Sequence, residues 1–195
     1  MNALTHDGQL ELMWADPPEG LGPELDTLQY TLGDGPTLQA ALEGRAVTEP
    51  HLTTADTARW PLFLPAAART PARATVALPL LLGGASIGVL TGYRTTPGLP
   101  TTRQLDALNR LAATLLLFLT TALAAPVNGP TQNGGLRIYR AEIHQATGYL
   151  AAELGIPVGQ ALLRLRAHAT AHDQPLADLA HAFLMRSLPA DTLHQ

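Results

Sequence analysis

The residues with the most chemistry to offer are arginines and histidines, because the 195-residue chain has neither cysteine nor lysine. All 12 basic side chains are Arg. Without thiols, disulfides, thiolate zinc sites and cysteine nucleophiles are excluded together. His168 and His172 stand four residues apart, but no glutamate adjoins them as in a zinc-protease helix and no third ligand is evident, so no metal site is expected. His144, His181 and His194 are read as solvated surface histidines, and His51 as a lone surface or structural one rather than a haem ligand. No nucleophile–base pair emerges, and no catalysis is expected. What remains in the C-terminal part are side chains that can donate hydrogen bonds, Arg140, Gln145, Thr147, Arg164 and Arg166, together with Gly148.

Those residues need short helices to position them. Tyr139, Ile143, Ala146, Leu150 and Leu154 recur at three- and four-residue steps, the period of one apolar helix face. Gly155 stops that helix, and Pro157 suits the first turn of a second with Val158, Ala161, Leu162, Leu165 and Ala169 on its inner face. Asp173 is placed to cap a third and Pro175 to open it, with Leu176, Leu179, Ala180, Phe183 and Leu184 as its stripe. Gln145 and Thr147 are expected off the apolar face of the first helix. Gly148 costs about 1 kcal/mol against Ala in a helix, so it wants a reason: close approach by a ligand backbone or close helix packing.

The order of these residues resembles the ANTAR domain, an RNA-binding antiterminator module of bacterial regulators. The likeness rests on Ile143, Ala146, Gly148, Leu150, Leu154, Gly155, Ala161, Leu165, Arg166, Ala169, Leu176 and Ala180. Thr147 stands where the family usually has Lys, Ala151 where Met is usual, Gln160 where an acid is common and Leu179 where Val is common. Losing that Lys removes one phosphate-neutralising charge, so RNA binding weaker and less salt-sensitive than a relative's is expected. From Leu136 onward five Arg balance five acids, whereas Met1 to Gly135 carries 11 acids against 7 Arg. The resemblance implies RNA contacts at Arg140, Gln145, Thr147, Gly148, Arg164 and Arg166, in a half that is not a basic patch.

The preceding part reads as strands and short helices. Gln9 to Ala15 alternates polar and apolar residues as a strand does, after a turn at His6 to Gly8; Asp16 to Asp26 reads as loop, and Leu28 to Leu32 as a short strand or a helix end. Gly33, Asp34, Gly35 and Pro36 form a turn into a helix at Thr37 to Glu43, and Ala46 to Glu49 follows as a strand. Trp60 and Pro61 open a helical stretch, Trp60 serving the core. Thr75 to Leu82 and Ser86 to Tyr93, separated by Gly83 and Gly84, are a hairpin whose first strand is covered on both faces.

These blocks together resemble a GAF domain of the kind that precedes ANTAR domains. The likeness rests on Leu32 to Val47, the Trp60–Pro61 pair and Ala77 to Arg94, within about Leu4 to Leu123. It implies an antiparallel sheet with flanking helices, often around a small-molecule pocket; the family's usual helix before the first strand is not found. No cofactor is expected, although an unidentified small-molecule effector fits the resemblance.

Arg103 to Leu123 shows helical spacing at Leu105, Leu108, Leu111, Ala112, Leu115, Phe118, Leu119 and Ala122, with Leu116 and Leu117 on the opposite face. A helix apolar nearly all round wants two partners. Pairing across a dimer is the favoured reading and burial within one chain the alternative; the apolar run from Leu111 to Ala125 is 15 residues, short of the roughly 20 that span a bilayer. Ala125 to Gly135, rich in Pro and Gly, reads as a linker.

The expectation is thus an α+β chain: a GAF-like sensor over 1–125 with antiparallel sheet, flanking helices and a dimerisation helix, a linker at 126–135, and an ANTAR-like three-helix bundle over 136–195. Its expected role is a signal-responsive antiterminator, a cytoplasmic homodimer binding RNA hairpins in nascent mRNA. The alternative is a ligand-sensing or protein-interaction regulator whose ANTAR-like part no longer binds RNA.

Overall fold

The computed structural model describes residues 1–5, 8–124 and 140–185, so the expected linker and most of the turn at His6 lie outside it. The described chain divides into two compact units, one built on five strands and four helices, the other on three helices.

The first unit is organised by its hairpin. β4 (Ala74–Leu82) and β5 (Ala85–Arg94) pair antiparallel. Gly83 and Gly84 turn the chain with φ of 59° and 88°, a two-residue turn whose positive φ at both positions matches strand twist. β1 (Asn2–Leu4), β2 (Leu10–Leu12) and β3 (Val47–Glu49) complete the antiparallel sheet in the order β2-β1-β5-β4-β3. The strand expected over Gln9 to Ala15 is shorter, and β1 precedes it; three residues starting with a buried Asn carry too little alternation to be read as a strand.

Alternation along the hairpin divides two cores. Val76, Leu78, Leu80 and Leu90 pack with Leu119 of α4 (Thr102–Ala124). Ala77, Val89 and Tyr93 pack on the opposite face with Leu25, Ala40, Trp60 and Phe63. These come from α1 (Leu21–Leu32), α2 (Pro36–Glu43), α3 (Phe63–Ala67) and the turn before α3. β4 is therefore covered on both sides, and Trp60 is core, 2% exposed and edge-on to Phe63. The loop expected at Asp16 to Asp26 instead enters α1 at Leu21, Pro23 being tolerated in a first turn. On α4, Leu116 joins the sheet-facing cluster rather than the opposite face, while Leu105, Leu111 and Phe118, assigned to the sheet-packing stripe, are exposed beside Leu117.

The Gly33 to Pro36 turn organises a buried polar network. Asp34 Oδ2 accepts the N–H groups of Leu62 (2.9 Å) and Phe63 (3.0 Å), tying down the start of α3. Gln29 Oε1 accepts the Thr37 N–H at 2.8 Å, and Gln29 Nε2 donates to Thr37 Oγ1 at 2.9 Å and to the Tyr93 hydroxyl at 2.5 Å. Burial, then the Asp26 carboxylate, push the Tyr93 hydroxyl well above its ordinary value of about 10. Above that pH the unfolded chain releases a proton that the folded chain keeps, so stability falls as pH rises past 10. Urea unfolding at pH 8 and 11 is expected to show that fall in the native chain and a smaller one in Tyr93→Phe.

The second unit packs α5 (Ala141–Leu154), α6 (Val158–Ala171) and α7 (Leu176–Leu184). Gly155 closes α5 at φ 63°, its N–H donating to the Ala151 carbonyl. Pro157 and Pro175 stand at the N-cap positions of α6 and α7; Asp173, expected to cap α7, takes a left-handed φ of 48° in the turn before it. Leu150, Leu165, Leu179 and Phe183 are fully buried, and Tyr149 meets Phe183 edge-on at 5.6 Å between ring centroids.

Candidate RNA-binding surface and sensor cavities

The six expected RNA-contacting residues do not form one surface. On α5, Ile143, Ala146, Leu150 and Ala151 are buried, and Thr147 lies within the same arc, one turn on from Ile143. It is 3% exposed, and its hydroxyl donates to the Ile143 carbonyl at 2.6 Å. The expectation that Thr147 lies off the apolar face is therefore corrected: i to i+4 spacing puts it on the buried side, and its one donor is used within the helix. Where a Lys would have to reach out along that flank, Thr turns inward and fills core.

Gln145 and Gly148 do lie on the outer face, three residues apart and both exposed. A Cβ added at Gly148 meets nothing within 4 Å. Close helix packing among the described residues is thus not what Gly148 serves.

The arginines are distributed around the bundle. Arg140 occupies the N-cap position of α5 and is 6% exposed, with its interactions already made, so it is not a solvent-facing contact. Arg164 and Arg166 are half-buried on α6 and flank its buried stripe of Ala161, Leu162, Leu165 and Ala169 from opposite sides, because two residues of helix turn the chain by roughly 200°. Glu142, weighed as an arginine partner, instead faces His181 Nδ1 at 3.5 Å. Between Arg140 and Met185 three Arg stand against Glu142, Glu153, Asp173 and Asp178, so the described unit offers little net positive field.

The sheet unit holds two cavities beside the hairpin. One, of about 350 Å³, lies between the sheet and α4 and is lined by Ala74, Val76, Gly92, Ala107, Leu108 and Leu111. Its polar rim is already engaged: Arg94 donates to the Gly98 and Leu99 carbonyls at 3.1 Å, and Gln104 Oε1 accepts from the Thr101 N–H. A space so lined suits an apolar molecule. The second, about 80 Å³, is bordered by Asn2, Trp14, Asp26, Thr91 and Tyr93 on the other side of the hairpin. Neither includes His51, which is exposed with its N–H donating to Glu49. Sequence reasoning missed this polar wall because its partners are far apart: Asn2 donates to Asp26 across 24 residues, and Gln29 to Tyr93 across 64.

Among the described residues no helix is long and apolar enough to cross a membrane. Two family models match the chain, a GAF domain over residues 3–120 and an ANTAR domain over 139–184. No curated protein matches it. Both matched families are regulatory rather than catalytic. The first match takes in the sheet from Ala3 onward and α4 as far as residue 120, and the second contains α5–α7. The chain therefore belongs to the GAF-domain family and carries an ANTAR domain behind that sensor, the architecture of an RNA-binding antitermination regulator.

Proposed function

We propose that the protein is a signal-responsive antiterminator that works as a homodimer on hairpins in nascent mRNA. The observation that carries this reading is the ANTAR match over a three-helix unit whose outer α5 face, Gln145 and Gly148, is open to a ligand. Leu117 and Phe118, both exposed on α4, support self-association through that helix, and the apolar cavity between α4 and the sheet supports a small-molecule effector. Sequence-specific RNA readers favour unstacked loop bases, which polar side chains and exposed backbone can meet without a strongly basic field.

The weak charge of the unit sets the expected signature. With five arginines from Leu136 onward and about 0.7 of salt slope per neutralised phosphate, the log–log dependence of affinity on salt should have a slope no steeper than about −3.5 for each bound protomer. Binding of the full chain to an RNA with two tandem hairpins, measured at several salt concentrations, checks this. A scrambled single-stranded RNA bound equally well would overturn the reading. The buried Thr147 and the near-neutral surface favour a second reading, a sensor whose ANTAR domain works through protein contacts; an absence of hairpin binding by the dimeric chain would select it.

A further inference from the structure

The cavity between the sheet and α4 exists because small residues stand in its walls. Ala74 and Gly92 on the strands and Ala107 on the helix contribute one methyl group or none, where Val or Ile would suit a strand and Leu a helix. Glycine inside a strand weakens it and often marks a place where something approaches closely. At Gly92 an added Cβ would meet only Val76 Cγ1, at an ordinary 3.6 Å, so no neighbour among the described residues requires the glycine. At the rim stands a positive charge without a counter-charge. Arg94 Nη1 donates to the Gly98 and Leu99 carbonyls at 3.1 Å, and Nη2 donates to Thr96 Oγ1 at 3.2 Å. Those bonds hold the guanidinium in place but leave its Nε–H and one Nη2 hydrogen uncommitted, and no carboxylate pairs with it among the described residues. On the same rim Gln104 Oε1 takes the Thr101 N–H and hydroxyl, so Nε2 keeps its hydrogens to give.

We propose that this cavity binds an apolar monocarboxylate, with its hydrocarbon part between Gly92 and Ala107 and its carboxylate on Arg94 and the Gln104 amide. At ~30 Å³ per non-hydrogen atom, a water molecule's share of the liquid, the cavity of about 350 Å³ takes roughly a dozen such atoms, the size of decanoate. A guanidinium fixed by its other hydrogen bonds is pre-organised for a carboxylate, and the charge-assisted bonds it forms are stronger than those an alcohol could make. An ammonium head of the same length would meet like charge. The site names the chemical class of the effector in the function proposed above and rests on that reading for its role.

The test is calorimetry of the full chain with decanoate, 1-decanol and decylammonium. It is run without RNA, so failure of this site and failure of hairpin binding are separate results. The expected outcome is one decanoate per chain, 1-decanol weaker by about tenfold or more, and no uptake of decylammonium. Arg94→Gln should lose the preference for decanoate and bind it no better than the alcohol. Gly92→Val should bind neither and unfold at no lower temperature than the native chain, because Val suits a strand and its Cβ has room. Should Arg94→Gln disturb its loop, the comparison of decanoate with 1-decanol on the native chain still decides the role of the charge. A native chain that does not take up decanoate, or that binds 1-decanol as tightly, overturns the proposal. So does a Gly92→Val chain that keeps its decanoate affinity within about threefold.

Discussion

Gly35→Ala should destabilise the sensor unit by about 3–5 kcal/mol, a large part of the ~5–15 kcal/mol that holds a domain folded. Two costs combine. Gly35 sits at φ 133° and ψ 178°, a region open essentially to glycine alone, where another residue is strained by about 1–3 kcal/mol. The added Cβ would also lie 2.5 Å from Gln29 Oε1 and 2.6 Å from Gln29 Cγ. Gln29 has little freedom to withdraw, because its amide holds the Thr37 N–H, the Thr37 hydroxyl and the Tyr93 hydroxyl together. Pushing it aside costs overpacking of about 1–3 kcal/mol and breaks a buried network. Both tryptophans, Trp14 and Trp60, lie in this unit, so fluorescence-detected urea unfolding reports it selectively. A loss under 1 kcal/mol would show that Gln29 yields easily and that the network is soft.

The same turn shows what could be read from sequence. Gly33 to Pro36 was recognisable as a turn into a helix because glycine and proline act through their own backbones. That Asp34 would reach Leu62 and Phe63 was not, since nothing local distinguishes a turn aspartate that caps a distant helix from one that faces water. The Gly83–Gly84 hairpin, the long α4 and the three C-terminal helices were legible for the same local reason: their period and punctuation are complete within each segment. α1 was half hidden. Gly20, Gly22 and Pro23 announce loop, and its buried face includes Asp26 and Gln29, whose cost is offset by partners on β1, α2 and β5.

The candidate site was legible as a family and less so as a surface. Residue order in the three helices indicated RNA binding, but a list of polar side chains does not say which share a face. Thr147 could have been placed by spacing, four residues after Ile143 and three before Leu150. Its polarity argued for the outside, yet threonine can bond its own helix and so enter a core at little cost. Arg164 and Arg166 read as neighbours in sequence and lie on opposite flanks of α6.

Gly148 separates fold from function most sharply. Gly148→Ala should stabilise the three-helix unit by about 1 kcal/mol, because an exposed mid-helix glycine gives up that much propensity and the new Cβ meets nothing within 4 Å. Gly148→Glu should gain nearly as much, glutamate being a good helix former. If RNA lies against this face, both substitutions act oppositely on binding. The methyl holds the sugar-phosphate chain off the helix and weakens binding several-fold; the carboxylate adds like-charge repulsion and removes hairpin binding by at least about tenfold, or 1.4 kcal/mol. Thermal unfolding followed by far-ultraviolet circular dichroism gives one arm and mobility shift with a two-hairpin RNA the other. A more stable protein that has lost its RNA would locate the surface on the outer face of α5, since no loss of folding could account for the loss of binding. A Gly148→Glu chain that binds hairpins as the native one does would move the RNA to another face, and the glycine would be left paying its helix cost for a protein partner instead.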